Sequence, residues 1–293
     1  MFTGRRRISP TFTRWLLGPV LLWGALALLS RCVQLRMSDK KVKAYFAGSP
    51  APPAFAFTGA GAQSIHYASL GADTLPMVVF VHGSPGSWDA FIGFFKDSLL
   101  LGKVRLVSVD RPGFGKSNPG KPQRSLKAQA AALVPILETS RSATRPILVG
   151  HSLGGPLIAR LAMDYPQLVG SLVLVAPSVD PALEPKEWYR KVGDFLLVRP
   201  LLPAEIDVSN QEILPLRGEL TRMLPGWRTL TLPITVIQGE KDQLVPAANA
   251  DFVRRSAVNA PVRVVMIPGM NHFIPWVRPE VIREAILFHL GNK

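Results

Sequence analysis

The sequence predicts an α/β fold: a mostly parallel, doubly wound sheet with helices on both faces and an inserted lid. Short runs of Val, Ile and Leu alternate along the chain with longer segments that have the composition of helices. These runs are apolar throughout rather than at every second position, which is typical of parallel strands buried on both faces. Residues 177–229, rich in proline and charge, interrupt the alternation and are too long for an ordinary connection. We interpret this stretch as the lid.

The elements follow one another in the order that these patterns set. The apolar runs predict strands at Ser64–Leu70, Met77–Val81, Val104–Val109, Ile147–Val149, Leu172–Val175, Ile234–Ile237 and Val262–Ile267. The segments between them predict helices at Trp88–Leu101, Ser125–Glu138 (interrupted by Pro135), Pro156–Met163, Ala247–Ser256 and Pro279–Leu290. We predict an N-terminal membrane anchor or signal segment at residues 1–37, a linker that leads into the sheet at residues 38–63, and the α/β domain at residues 64–293.

The first 37 residues have the pattern of a membrane or export segment. Arg5, Arg6, Arg7 and Arg14 precede an uncharged run from residue 15 to residue 30. As a helix this run is about 24 Å long, somewhat less than a bilayer core of about 30 Å. We expect an uncleaved anchor, with the domain on the periplasmic or extracytoplasmic side.

Two other treatments of the leader stay open. The apolar run has nearly the length of a secretory signal. The only cysteine, Cys32, lies where a bacterial lipoprotein would be lipidated, although Arg31 departs from the small residue such sites use.

The distribution of charge argues against a nucleic-acid partner. The formal net charge is +14, but residues 1–43 hold nine basic residues and one acidic residue. The rest of the chain carries the remaining +6 without a dense basic stripe. We also predict no metal, because one cysteine and five histidines lack ligand spacing. No cofactor is predicted, because glycine-rich phosphate-binding motifs are absent from the sequence. The oligomeric state is left open.

The most informative motif is Gly150-His151-Ser152-Leu153-Gly154-Gly155, between a predicted strand and a predicted helix. A serine at the apex of such a turn has an exposed hydroxyl, and the glycines on either side let the strand and helix approach closely. The motif therefore predicts Ser152 as a nucleophile.

A serine nucleophile needs a base and an orienting acid. In a parallel sheet these should follow the carboxyl ends of later strands. Asp242 follows the strand that ends at Ile237, and His272 follows the strand that ends at Ile267. Asp180, after the strand that ends at Val175, is an alternative to Asp242 as the acid.

With these residues the chain resembles the α/β-hydrolase family, over roughly residues 60–290. The serine turn and the acid and base loops carry the resemblance, together with His82-Gly83-Ser84-Pro85-Gly86 and Asp110-Arg111-Pro112-Gly113-Phe114-Gly115-Lys116-Ser117. The resemblance implies a triad of Ser152, Asp242 and His272. It also implies that the backbone N–H groups of Ser84 and Leu153 form the oxyanion hole. His82 is expected to support the oxyanion loop, and Asp110 to anchor a turn.

The resemblance also narrows the reaction. Family members that open epoxides or cleave carbon–halogen bonds use aspartate where this chain has Ser152, so we predict hydrolysis of a small-molecule carboxylic ester or other acyl substrate. A prolyl-aminopeptidase-type peptidase, a carbon–carbon bond hydrolase and a cofactor-free perhydrolase stay open, as does a catalytically silent membrane-tethered scaffold. Six apolar lid residues either line an acyl site or pack on the sheet: Trp188, Tyr189, Phe195, Leu196, Leu197 and Leu201.

Overall fold

The molecule is built on one eight-stranded sheet, seen in a computed structural model that describes residues 21–30, 33–59, 64–185 and 188–291. The strands are β1 (Ala54–Thr58), β2 (Ile65–Leu70), β3 (Met77–Val81), β4 (Arg105–Val109), β5 (Ile147–His151), β6 (Ser171–Val175), β7 (Ile234–Gly239) and β8 (Val262–Ile267). Their order across the sheet is β1-β2-β4-β3-β5-β6-β7-β8. The pairings β1–β2 and β2–β4 are antiparallel, and the others are parallel. The predicted fold class is therefore confirmed.

Helices cover both faces of this sheet. The α-helices are α1 (Asp39–Tyr45), α2 (Leu126–Leu137), α3 (Gly154–Asp164), α4 (Trp188–Gly193), α5 (Ala204–Ile213), α6 (Leu216–Met223), α7 (Ala248–Ser256), α8 (Ile274–Val277) and α9 (Pro279–Gly291). Helices of the 3₁₀ type lie at Trp88–Lys96, Pro166–Leu168, Arg199–Leu201 and Leu224–Thr229.

The continuous apolar strands supply side chains to two separate core layers. In β3, Met77, Val79 and Val81 join the layer beneath α2 and α3. The intervening Val78 and Phe80 join the layer beneath the 3₁₀ helix Trp88–Lys96 and α9. Because successive side chains of a strand point to opposite faces, a strand buried on both faces must be apolar at every position.

The segment 88–101 differs from its predicted helix. It forms a 3₁₀ helix over Trp88–Lys96, with non-helical angles at Phe91, and continues as turns. Trp88, Phe91 and Phe94 are all buried. Side chains three residues apart eclipse one another in a 3₁₀ helix, so this spacing puts the three aromatic rings on one side of it.

The predicted linker at residues 38–63 contains two elements that the sequence pattern did not indicate. The hydroxyl of Ser38 accepts a hydrogen bond from the Lys41 backbone N–H and caps α1, while Val42 is buried in the core. Strand β1 pairs with β2 in antiparallel register. This part of the chain therefore extends the sheet.

Residues 21–30 are helical, and the preceding twenty residues, Arg31 and Cys32 lie outside the described residues. The structure therefore does not test the lipoprotein alternative at Cys32. Among the residues that are described, no helix has both the length and the apolar composition needed to cross a bilayer.

Candidate active site

The turn between β5 and α3 places Ser152 in a strained backbone conformation with φ of +54°. A Cβ at Gly150 would lie 2.4 Å from the Gly154 carbonyl oxygen, and one at Gly154 would lie 2.3 Å from the Val81 carbonyl oxygen. Both distances are far below contact, so the tight turn requires glycine at these two positions. The strain, of order 1–3 kcal/mol for such a residue, leaves Ser152 at the apex of the turn.

His272 and Asp242 lie together beyond the carboxyl ends of β8 and β7. His272 Nδ1 is 2.7 Å from Asp242 Oδ2. Asp242 Oδ1 accepts hydrogen bonds from the backbone N–H groups of Leu244 (2.9 Å) and Val245 (2.8 Å). The loop after β7 therefore orients the carboxylate, and the carboxylate holds one side of the imidazole, which leaves Nε2 for proton transfer.

Asp180 has a different role in the structure. Its carboxylate accepts the backbone N–H of Ala182 (2.8 Å), and its own N–H donates to Asn249 Oδ1 (2.9 Å). The structure thus brings Asp242 to His272, and Asp180 organises the turn after β6.

Ser84 and Leu153 line the same cavity as Ser152 and His272. Within the described part of the chain, neither backbone N–H donates to a protein acceptor. Two unsatisfied donors beside a nucleophile form the arrangement that stabilises an oxyanion. The Ser84 hydroxyl contacts the Ser209 hydroxyl of α5 at 2.9 Å.

Two buried histidines support this site in the neutral state. His82 Nδ1 is 2.7 Å from the Gly83 carbonyl oxygen, and His151 Nε2 is 3.1 Å from the His272 carbonyl oxygen. Burial, followed by electrostatic repulsion from the neighbouring His272 imidazole, lowers the pKa of His151 to about 3. Burial, followed by the nearby charge of Arg111, lowers the pKa of His82 well below its usual range. Both rings are therefore uncharged near neutral pH.

Arg111 is a supporting residue of the candidate site that the sequence pattern did not indicate. Its guanidinium, fully buried, donates to the carbonyl oxygens of His82 (3.0 Å) and Gly83 (2.9 Å). It also donates to both carboxylate oxygens of Glu212 at 2.7 Å and to Gln129 Oε1 at 2.9 Å. Arg111 thus joins the oxyanion loop to α5. Its place in the Asp110–Ser117 motif was visible in the sequence, but its partner Glu212 lies 101 residues away.

Asp110 anchors a turn. Its carboxylate accepts the backbone N–H groups of Trp88 (2.8 Å) and Lys116 (2.9 Å) and lies 2.7 Å from His66 Nδ1. A Cβ at Gly115 would lie 2.1 Å from Asp110 Cγ, so this turn also requires glycine.

The catalytic cavity has a volume of about 440 Å³. The insertion between β6 and β7 contributes Glu184, Pro185, Arg190, Ile213 and Leu216 to its wall. None of the six apolar residues that the sequence singled out in the lid is in this wall: Trp188, Tyr189, Phe195, Leu196 and Leu197 are all more than half exposed to solvent, and Leu201 is half-buried. The described residues contain no group of three or more potential metal ligands.

Comparison with known proteins gives matches over most of the chain. The sequence model of the Alpha/beta hydrolase family matches residues 78–285. A 2-hydroxy-6-oxononadienedioate/2-hydroxy-6-oxononatrienedioate hydrolase from a Pseudomonas species is 32% identical, over 78% of this chain and 92% of its own length. A 2-(acetamidomethylene)succinate hydrolase from Mesorhizobium japonicum is 28% identical, over 72% of this chain and 86% of its own length.

The fold is also that of solved hydrolases. The crystal structure of a membrane phospholipase A, described as a bacterial virulence factor, superposes with a TM-score of 0.64 at 21% identity. The match covers 96% of this chain and 98% of that one. With the family match and the shared fold, this chain belongs to the alpha/beta hydrolase family.

Proposed function

We propose that the protein is a serine hydrolase that cleaves carboxylic esters through an acyl-enzyme on Ser152. One observation carries this proposal: three groups meet at one cavity. They are Ser152 with its strained backbone, the His272–Asp242 pair, and the backbone N–H groups of Ser84 and Leu153, for which the described residues offer no acceptor. Each group matches one requirement of acyl transfer, namely a nucleophile, a base with an orienting acid, and oxyanion donors.

The reaction then proceeds in two halves. The Ser152 hydroxyl oxygen attacks the ester carbonyl carbon while His272 Nε2 takes the hydroxyl proton, and the N–H groups of Ser84 and Leu153 bind the oxyanion. Collapse of this intermediate breaks the bond to the alkoxy group, which leaves as the alcohol with the proton from His272. Water then attacks the acyl-enzyme, His272 takes its proton and returns it to Ser152, and the carboxylic acid leaves.

Substitution of the triad tests this mechanism. Ser152→Ala and His272→Ala should each lower kcat for p-nitrophenyl butyrate by about 10⁴-fold or more, because the triad acts as a unit. Asp242→Asn should cost about 10⁴-fold through the wrong imidazole tautomer. Kinetics with thermal melts by circular dichroism would separate lost chemistry from lost folding.

Two matched controls lie close by. Ser178→Ala removes another hydroxyl from the same cavity wall, and Asp180→Asn neutralises the alternative acid; both should retain activity. A folded Ser152→Ala protein with the unsubstituted rate would refute the mechanism. Failure of the unsubstituted protein to react with a fluorophosphonate at Ser152 would favour the silent scaffold.

Carbon–carbon bond hydrolysis is a second candidate, favoured by the 32% identical relative whose name specifies 2-hydroxy-6-oxononadienedioate as substrate. The same serine would serve both reactions. Comparing kcat/KM for that compound with kcat/KM for short esters on one preparation decides between them. A preference for that compound by about 10⁴-fold or more, the discrimination that a site built to hydrogen-bond its substrate reaches, would favour the second candidate.

We further propose that the protein is membrane-associated through its N-terminal segment, with the catalytic domain on the periplasmic or extracytoplasmic side. The basic residues followed by an uncharged run at residues 15–30 support this location.

A further inference from the structure

Two segments far apart in the sequence expose an unusual number of large apolar side chains. One is the helical segment 21–30, and the other, here called the apolar arm, is residues 188–197 of the insertion. Their exposed apolar side chains are Leu21, Leu22, Leu26, Leu28 and Leu29 in the helix and Trp188, Tyr189, Val192, Phe195, Leu196 and Leu197 in the arm. Soluble monomers rarely concentrate apolar residues in this way, and such concentrations mark interaction sites.

Hydrogen bonds fasten the two segments to each other. The indole N–H of Trp23 donates to the Leu197 carbonyl oxygen at 2.9 Å. Ser30 Oγ lies 3.2 Å from the Pro200 carbonyl oxygen, just beyond the arm, and 3.0 Å from the Ala27 carbonyl oxygen of its own helix. The helix and the arm therefore form one apolar surface.

This surface adjoins the catalytic cavity. A second cavity of about 440 Å³ is lined by Trp188 and Lys191 of the arm. It shares Pro185, Arg190 and Ile213 with the wall of the catalytic cavity. A molecule that leaves the apolar surface at Trp188 thus meets a cavity that adjoins the one lined by Ser152.

The chemistry of the surface fits a phospholipid bilayer. The helical segment is the end of the uncharged run that begins at residue 15, so the arm continues the part of the chain predicted to lie in a membrane. The arm adds Trp188 and Tyr189, residue types enriched at membrane–water interfaces, and an exposed Lys191 suited to anionic headgroups.

We propose that the helical segment and the apolar arm dock together on a phospholipid bilayer, and that Ser152 takes its ester substrate, an acyl lipid, from that bilayer. The second half of this inference rests on the proposed ester hydrolysis; the docking does not. A bilayer would cover the exposed apolar side chains, and the cavity beside Trp188 would connect the lipid surface with the nucleophile.

Docking is tested with a probe on the arm of the full-length protein. In a Cys32→Ser background, Leu196→Cys is labelled with the fluorophore NBD and mixed with phosphatidylcholine–phosphatidylglycerol vesicles. We expect a blue shift of the emission, because Leu196 is 80% exposed in the protein and would enter the lipid. The control is Val258→Cys, 60% exposed between α7 and β8, which should show no shift. The absence of a shift at position 196 would overturn docking. A shift that appears without vesicles when the protein concentration is raised would also overturn it, because the arm would then be covered by a second copy of the protein.

The source of the substrate is tested by kinetics. Leu196→Asp should lower turnover of phospholipid in vesicles by about tenfold or more, since it puts a charge where an apolar side chain, exposed in the free protein, would enter the bilayer. It should leave turnover of soluble p-nitrophenyl butyrate unchanged, and Val258→Asp should leave both unchanged. Equal phospholipid turnover by Leu196→Asp and the unsubstituted protein would overturn the lipid source. If the unsubstituted protein cleaves neither ester, the proposed function fails, while the NBD measurement still decides docking.

Discussion

At the scale of single residues, the candidate site holds buried histidines that stay neutral beside the proposed triad. His151 is next to both proposed catalytic residues: it precedes Ser152 in the chain, and its ring is 4.7 Å from the His272 ring, centre to centre. In the proposed mechanism, a protonated His151 there would repel the imidazolium that forms on His272. Burial prevents this, because it disfavours the charged form of His151.

This burial makes the stability of the protein depend on pH. The unfolded chain protonates His151 below about pH 6.5, whereas the folded chain does so only near pH 3. Between these values the unfolded state binds more protons, so the free energy of unfolding falls as pH falls. The slope is about 1.4 kcal/mol per pH unit, or about 2 kcal/mol between pH 6.5 and pH 5 from His151 alone. His82, with its pKa lowered in the same direction, adds to the loss.

Urea unfolding at several pH values measures this effect. His151→Gln keeps an amide that can donate to the His272 carbonyl but cannot titrate. The slope of its free energy of unfolding against pH should therefore be smaller by the contribution of one proton. Identical slopes for His151→Gln and the unsubstituted protein would show that His151 is not the buried neutral group described.

At the scale of elements, α5 connects the insertion to the catalytic loops. Its Glu212 binds Arg111, which holds the His82 and Gly83 carbonyls, and its Ser209 contacts Ser84. The oxyanion loop is therefore positioned from the insertion side as well as from the sheet.

Breaking this link should impair transition-state binding more than substrate binding. Arg111→Lys removes the two-pronged contact with Glu212 and should lower kcat by about 10²–10³-fold, the typical effect of losing one oxyanion donor, with little change in KM. Affinity for a boronic acid, which mimics the tetrahedral intermediate, should fall in parallel. Arg160→Lys, at a partly exposed pair with Asp164 on α3, is the matched control.

A second variant separates positioning from folding. Replacing both partners, as in Arg111→Met with Glu212→Leu, removes two buried charges together and is often tolerated. This protein should fold yet retain the catalytic loss. A folded double variant with normal kcat and normal boronic acid affinity would contradict a positioning role for Arg111.

The elements also mark how far sequence reasoning reaches. Strand β3 has its predicted bounds and β6 begins one residue earlier, because a short, continuously apolar run in an alternating α/β chain strongly favours a strand buried on both faces. Ser152, Asp242 and His272 could be proposed because each follows a strand. The link between Arg111 and Glu212 could not, since it depends on how α5 packs. Likewise, helix α1 is only seven residues long and polar, so its pattern is too weak to read.

At the scale of the whole molecule, the N-terminal segment is fastened to the domain soon after its helix. The Leu35 backbone N–H donates to Glu205 Oε2 at 2.7 Å, and the Met37 backbone N–H donates to Asp89 Oδ2 at 2.6 Å. One contact is with the insertion, and the other is with the 3₁₀ helix that follows the oxyanion loop. If residues 15–30 anchor the protein in a membrane, the domain would thus lie against that membrane, because no long linker separates the two.

This mounting makes the proposed location testable in spheroplasts of a Gram-negative host expressing the full chain. The domain must lie on whichever side of the membrane Leu35 emerges, because the chain from Leu35 onwards is bound to it. Since a basic cluster before an uncharged run is the pattern of an exported chain, we expect that side to be extracytoplasmic. Proteinase K added to the spheroplasts should then digest the catalytic domain, while a cytosolic marker stays intact; an immunoblot for both measures this. A domain that resists the protease until detergent is added would place it in the cytoplasm and refute the proposed orientation.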